Sequence, residues 1–386
     1  MSTTRSTEGA ARSQSLSRGA VGEALLLIER AHSGTGTWDD VHSLLRTITA
    51  HNLIAGDDAS LFFGAPAVAF ALHTAAGGTD RYAGALHTLD ASVASVTDRR
   101  LTMANARIDR GERPQAAEFD VLYGLTGLGA YWLRRDPLGP QLQGVLSYLV
   151  RLVQPLADDP AQLPGWWVNH GPTITPSDHF RDGHANVGIA HGIAGPLALL
   201  SLSKRHGIAV EGHVEAMTGI CAWLDGLRQD DAAGPWWPRW ITIPEHHTGT
   251  LLQHEPPPPS WCYGTPGIAR AQQLAALALQ DADHQHMAED ALLRCLSDPA
   301  QMARIQESGL CHGTPGLLQI THRAAQDAPP GTFTTVLVQL RDRLLSQGRT
   351  HEDGFLGGPT GVALALETPR AADAPASLWD ACLLIA

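Results

Sequence analysis

The chain has 386 residues, 44% hydrophobic and 17% charged, a composition that folds and can bury a sizeable core. A formal charge of −12 without Lys/Arg clusters argues against nucleic acid or an anionic membrane as partner, and no uncharged apolar run reaches the ~18–20 residues that span a bilayer. Five cysteines (Cys221, Cys262, Cys295, Cys311 and Cys382) make no disulfide framework in a chain this long, so a reducing cytoplasm is the expected compartment.

Residues 1–19 are rich in Ser, Thr and Arg and lack an apolar h-region, which predicts a disordered tail and no secretory signal. A single domain is expected over 20–386. From Ala20 to His32 the spacing of Val21, Ala24, Leu25 and Ile28 is helical. A break at Ser33–Thr37 leads to a second amphipathic run, Val41 to Leu53.

A recurring unit then begins at Leu61-Phe62-Phe63-Gly64-Ala65-Pro66, followed by an apolar run to His73. It returns as Tyr123-Gly124-Leu125-Thr126-Gly127 and as His191-Gly192-Ile193-Ala194-Gly195. Two near-copies follow, Ser260-Trp261-Cys262-Tyr263-Gly264-Thr265-Pro266-Gly267 and Gly309-Leu310-Cys311-His312-Gly313-Thr314-Pro315-Gly316. The last copy is Gly357-Gly358-Pro359-Thr360-Gly361. The first glycines are spaced by 60, 68, 72, 49 and 45 residues, room for an apolar helix, a turn and a return helix each time. Return helices are predicted at Tyr82–Val96, Gln141–Leu156, Val214–Arg228, Met287–Leu296 and Phe333–Ser346.

Such self-similarity marks a repeat architecture. The glycine-headed helices are small and apolar nearly all round, as in Ala269–Leu279, while the return helices carry charge on one face. An all-α fold of six to seven helical hairpins, an inner ring of helices wrapped by an outer one, meets both demands; an open solenoid is the alternative. In a closed α/α toroid the inner-helix N-termini converge and turn the repeat heads into a site. Close packing of helix ends is the competing account of the glycines, above all at Gly64 and Gly358.

Two connectors interrupt the pattern, about 163–186 and 228–260. They hold Trp166, Trp167, Trp236, Trp237 and Trp240, five of the ten tryptophans, with His170, His179, His184, His246, His247, His254 and the run Pro256–Pro259. Both are too rich in Pro, Gly and aromatic residues for long helices. Their tryptophans either anchor the loops or wall a ligand groove.

The near-copies carry the chemistry. Thr before Pro suits an N-cap followed by the first helical position, so Cys262 and Cys311 are expected just outside helix N-termini, where the dipole favours thiolate. Two thiolates and one imidazole (Cys262, Cys311 and His312) match Zn²⁺, with a fourth position open as in catalytic zinc. The spacing of 48 residues between the cysteines is no finger or ribbon, but both come from equivalent repeat positions. Cys221, Cys295 and Cys382 read as small core hydrophobes. His191 occupies the register of Tyr263 and His312, which makes it either a proton donor or acceptor beside the metal or a core histidine. Asp120, four residues ahead of Gly124, either orients a histidine or caps its helix.

With these motifs in place, the chain resembles the lanthionine synthetase C-like family from about residue 20 to the C-terminus, most specifically in Cys262-Tyr263-Gly264 and Cys311-His312-Gly313. The resemblance implies an α/α toroid and a Zn²⁺ held by Cys262, Cys311 and His312. It implies addition of peptide cysteine thiols to dehydroalanine or dehydrobutyrine, giving thioether rings, with His191, Asp120 and Tyr263 in the active site. The implied partners are a dehydrated precursor peptide and the dehydratase and exporter of the same pathway; the length suits a stand-alone cyclase. One departure stands out: where bacterial members often carry an arginine, four residues before the first zinc cysteine, this chain has Pro258, and Arg239 is a candidate replacement. A non-cyclising relative that binds glutathione or a protein through the same zinc is the alternative. A zinc-dependent thiol alkyltransferase of the prenyltransferase kind is disfavoured by the lack of an aspartate-type zinc ligand.

Overall fold

The computed structural model describes residues 12–156, 159, 161–173, 177–232, 234–347, 352–368 and 374–386. Where the repeats predict one domain, the packing divides the chain into two compact units. One comprises the residues up to Asp98 with Gln306–Leu384 and Ala386; the other comprises Arg99–Ile305 with Ile385.

In chain order the helices alternate between glycine-headed and return helices. After α1 (Ala20–His32) and α2 (Trp38–Ile48) come α3 (Ala65–Ala76) with α4 (Ala83–Asp109), then the single turn α5 (Ala116–Phe119). Next are α6 (Leu125–Arg135) with α7 (Pro140–Val153), and α8 (Ala194–Arg205) with α9 (His213–Leu227). The short α10 (Ile243–Thr248) precedes α11 (Thr265–Leu279) with α12 (Ala282–Ser297) and the turn α13 (Pro299–Ala303). The chain closes with α14 (Thr314–Asp327), α15 (Thr334–Ser346) and α16 (Pro359–Glu367). Four very short strands, β1 (Ala185–Asn186), β2 (Gln229–Asp231), β3 (Gly234–Trp236) and β4 (Trp240–Ile241), pair as β1–β4 and β2–β3, both antiparallel.

Each head helix lies where the glycine register predicts, and α1 has the predicted bounds. Several boundaries differ, with α7 ending at Val153 and α12 starting at Ala282 where Leu156 and Met287 are predicted. Helix α4 runs well past Val96 because its buried stripe continues through Leu101, Ala104 and Arg107 at helical spacing. Helix α2 starts at Trp38, where the Thr37 hydroxyl accepts the Asp40 N–H at 3.2 Å, and stops at Ile48.

The glycine-headed helices are buried nearly all round. In α3 every residue but His73 is buried; in α11 this holds from Thr265 to Ala276, and in α14 from Thr314 to Ala324. The return helices bury one stripe, for example Val336, Leu340 and Leu344 of α15. At roughly 1.5–3 kcal/mol per large apolar side chain, these stripes carry the packing energy.

The repeat glycines have a steric explanation. A Cβ on Gly124, Gly264, Gly313 or Gly358 would sit 2.4–2.7 Å from the backbone nitrogen four residues earlier. A Cβ on the second glycine, three residues on, would meet the carbonyl oxygen six residues before it: 2.0 Å at Gly267, 1.9 Å at Gly316 and 2.2 Å at Gly361. The head loop folds tightly over the start of its own helix, and only glycine leaves room.

Two expectations are corrected. The N-cap falls on Gly264 and Gly313, in extended conformation, with Thr265 and Thr314 as the first helical residues. The tight turn needs glycine at the cap, so the threonine moves one place inward. The tail is also shorter: residues 1–11 lie outside the described residues, but Gln14 bonds Asn52 O at 3.0 Å and Ile54 N at 2.8 Å, and Leu16 is fully buried.

Three of the five connector tryptophans are buried and hydrogen-bonded to backbone or carboxylate oxygens, which anchors them. Trp167 is buried and donates to Asp182 O, Trp236 to Asp231 Oδ2 and Trp237 to Leu224 O. Beside them His184 is buried with its Nδ1 2.7 Å from His170 O, and burial pushes its imidazole down to about 4.

Candidate active site and metal centre

In the Arg99–Ile305 unit three head loops are joined edge to edge. The Val121 N–H donates to Ala190 O at 3.0 Å, and the Ala190 N–H donates to Cys262 O at 3.3 Å. The middle loop must pass very close to its neighbour: a Cβ on Gly188 would lie 2.3 Å from Cys262 O and 2.9 Å from the Tyr263 ring. On its other flank Val187 N donates to Arg239 O, continuing the β1–β4 pairing. These bonds bring Asp120, His191 and Tyr263 together.

Asp120 does both jobs that the sequence leaves open. It is 1% exposed, and its Oδ1 accepts the N–H groups of Tyr123 (2.6 Å) and Gly124 (2.8 Å), capping the turn into α6. Its Oδ2 lies 2.6 Å from His191 Nδ1. A carboxylate is acceptor-only, so Nδ1 carries the proton and Nε2 is the working edge of the ring. The His191 side chain is 25% exposed, so it is a partly accessible group and no core histidine. Tyr263 stacks on one face of the imidazole, with centroids 5.9 Å apart and planes at 29°. Tyr123 stacks against the imidazole as well, at 5.9 Å and 23°. Tyr123 was not singled out from the sequence, although it precedes its repeat glycine just as His191, Tyr263 and His312 do.

Cys262 is buried, two residues ahead of the cap of α11, with Ser260 Oγ accepting the Tyr263 N–H at 3.4 Å. The Pro258 carbonyl accepts the Ser260 hydroxyl at 3.3 Å, and Arg304 donates to Pro256 O, so the proline run is fastened to the turn. Arg239 holds its guanidinium over the Trp240 ring, 5.9 Å from the centroid.

Cys311 and His312 occupy the equivalent turn ahead of α14. The Cys311 N–H donates to Leu356 O at 3.0 Å, the same edge contact that Ala190 makes with Cys262, and the Gly313 N–H closes the turn on Gly309 O at 2.8 Å. Cys311 is partly exposed and His312 exposed.

One sulfur each from Cys262 and Cys311 and a ring nitrogen of His312 lie within 4.8 Å of one another, a group not repeated among the described residues. Donors of a tetrahedral zinc stand roughly 3.5 Å apart, and two thiolates with one imidazole are ligands zinc prefers, so the donor set fits the ion. Cys221 and Cys295 are buried thiols that burial pushes well up, Cys221 to about 12, as expected of core residues.

A solved structure of nisin cyclase aligns with a TM-score of 0.80 at 20% identity, covering 97% of this chain and 92% of that one; the fold is an α/α toroid. The chain belongs to the lanthionine synthetase C-like family, whose model matches residues 10–384. It is also 21% identical over 333 residues to the nisin biosynthesis protein NisC of Lactococcus lactis subsp. lactis, covering 84% of this chain and 77% of the relative.

Proposed function

We propose that this protein is a zinc-dependent lanthionine cyclase of the cytoplasm. It adds cysteine thiols of a dehydrated precursor peptide to dehydroalanine or dehydrobutyrine, downstream of a dehydratase and upstream of an exporter. The observation that carries the reading is the Asp120–His191 pair with the Cys262, Cys311 and His312 donor set, in a chain of this family. No helix among the described residues is long and apolar enough to cross a membrane.

Cys262, Cys311 and His312 would hold the ion, which when bound lowers the pKa of a substrate thiol from about 8.5 and keeps it as thiolate at neutral pH. The rest falls to the chain's own side chains. Addition forms a C–S bond at the β-carbon and leaves an electron pair at the α-carbon as an enolate. His191 delivers a proton there from Nε2, so the thiol's lost proton is balanced and no redox partner is needed. Asp120 keeps the imidazole in the right tautomer and faces the positive charge of the doubly protonated ring. A proton donor placed this way accounts for roughly 10²–10⁴ in rate. The buried turn around Asp120 keeps the pair ordered before substrate arrives, so little reorganisation is needed at the transition state.

The test is direct. Zinc-loaded protein is incubated with a peptide carrying one cysteine and one dehydro residue, and free thiol is followed together with formation of the cyclic product of unchanged mass. Thiol loss above the uncatalysed rate supports the cyclase. Saturable binding of glutathione with no ring formed on any dehydrated peptide would assign the protein to the thiol-binding alternative.

A further inference from the structure

His191 is held by three side chains within one compact unit. Its Nδ1 edge meets Asp120, and Tyr263 and Tyr123 both stack against the ring. The Tyr123 ring combines this contact with 53% exposure, so it is not an ordinary core aromatic. Its backbone is pinned at both ends: the N–H goes to Asp120 Oδ1, and the carbonyl accepts from the Arg100 guanidinium. The carboxylate that grips the edge of the imidazole therefore also fixes the backbone bearing the ring against its face.

Each restraint controls a different motion. A hydrogen bond at Nδ1 tolerates a broad range of angles and leaves the ring free to tilt about it; histidine χ2 is itself a soft torsion. Two near-parallel rings stacked against the imidazole suppress that tilt, since offset stacking is the favoured arrangement of such pairs. Tilt matters because an enolate carbon is planar and can be protonated from either side. Displacing a reacting group by about 1 Å can cost ~10²-fold in rate.

We propose that Tyr123 is a positioning residue. With Tyr263 it forms an aromatic clamp that sets the plane of the His191 ring, and so decides which face of the enolate receives the proton. The inference rests on the cyclase reading for its consequence, though not for the clamp itself.

Tyr123→Ala, Tyr123→Leu and Tyr123→Phe are compared with wild type for zinc content, melting, kcat, KM and the diastereomer ratio of the (methyl)lanthionine product. Tyr123→Ala and Tyr123→Leu are expected to keep zinc and KM, lose roughly 10–100-fold in kcat and give a mixed product. Tyr123→Phe restores both rate and ratio, because the ring face and not the hydroxyl does the work. A raised KM at unchanged kcat would make Tyr123 a wall of the substrate groove and overturn the proposal. So would wild-type rate with a single diastereomer in Tyr123→Ala, or failure of Phe to rescue. NMR exchange of the His191 Nδ1 proton separates the two readings: it should quicken in Tyr123→Ala and not in Tyr123→Phe. Wild-type protein that consumes no thiol sinks the cyclase, whereas unchanged exchange in Tyr123→Ala sinks the clamp.

Discussion

The turn before α6 and the turn before α16 are the same backbone device with different side chains. In each, a Cβ on the first glycine would lie 2.4 Å from the nitrogen four residues earlier, Asp120 in one case and Gly354 in the other. The α16 turn carries glycines at 354, 357 and 358 and offers no titratable group between Phe355 and its helix. The α6 turn carries a buried carboxylate bonded to a histidine. Close packing therefore explains the glycines at every head, and the chemistry is written in the residues one, two and four places before them.

That comparison can be tested by changing side chains at the chemical heads and glycines at the packing positions. The largest loss is expected from Cys262→Ala or Cys311→Ala, which should drop zinc below one equivalent and thiol addition to background while circular dichroism and melting stay near wild type. Full activity of either variant in chelator-treated buffer would refute the assignment of these ligands. Next, His191→Asn should retain the metal yet lose roughly 10²–10⁴ in kcat, as read from steady-state thiol consumption alongside metal analysis.

Gly316→Ala should lower stability by several kcal/mol, since its Cβ would fall 1.9 Å from Leu310 O. Gly226→Ala, in α9 with nothing within 4 Å, should be neutral or stabilise by up to ~1 kcal/mol. Equal urea midpoints for the two variants would show that the repeat glycines are not sterically required.

A smaller, pH-dependent effect comes from His322, which lies 5% exposed in α14. Burial, with Arg341 and Arg323 nearby, pushes its imidazole down to about 4, against about 6.5 when unfolded. The unfolded chain then takes up this proton first. The stabilisation is complete above about 6.5, declines as pH falls and is lost below about 4. His322→Leu should remove on the order of 3 kcal/mol from the loss of stability between pH 7 and pH 4. Denaturation curves at the two pH values measure it, and an unchanged difference would clear His322 of any role.

Much of this was legible in the sequence because the repeats share one register. The glycines placed the head helices, and the apolar spacing of Val21, Ala24, Leu25 and Ile28 set the bounds of α1. The register also put His191 and Asp120 near the same place, and their side chains lie 2.6 Å apart. What did not show was lateral. The bonds that tie Ala190 to Val121 and Cys262 are made by backbone groups, which any residue supplies equally. Tyr123 was hidden for a related reason, since a tyrosine before a glycine gives no sign of which ring it will lie upon. The capping threonine was misplaced because local preference favours Thr-Pro, whereas the close approach within the turn demands glycine at that position.

Asp120 joins folding to chemistry within one side chain, and this constrains how the protein can change over time. One oxygen belongs to the turn and the other to the histidine, so a lineage that abandoned catalysis would still be selected to keep the carboxylate. The His191 side chain bonds Asp120 and holds no turn in place, so it could drift freely. Retired descendants should therefore be recognisable by a preserved aspartate facing a replaced histidine, and the reverse pairing should be rare.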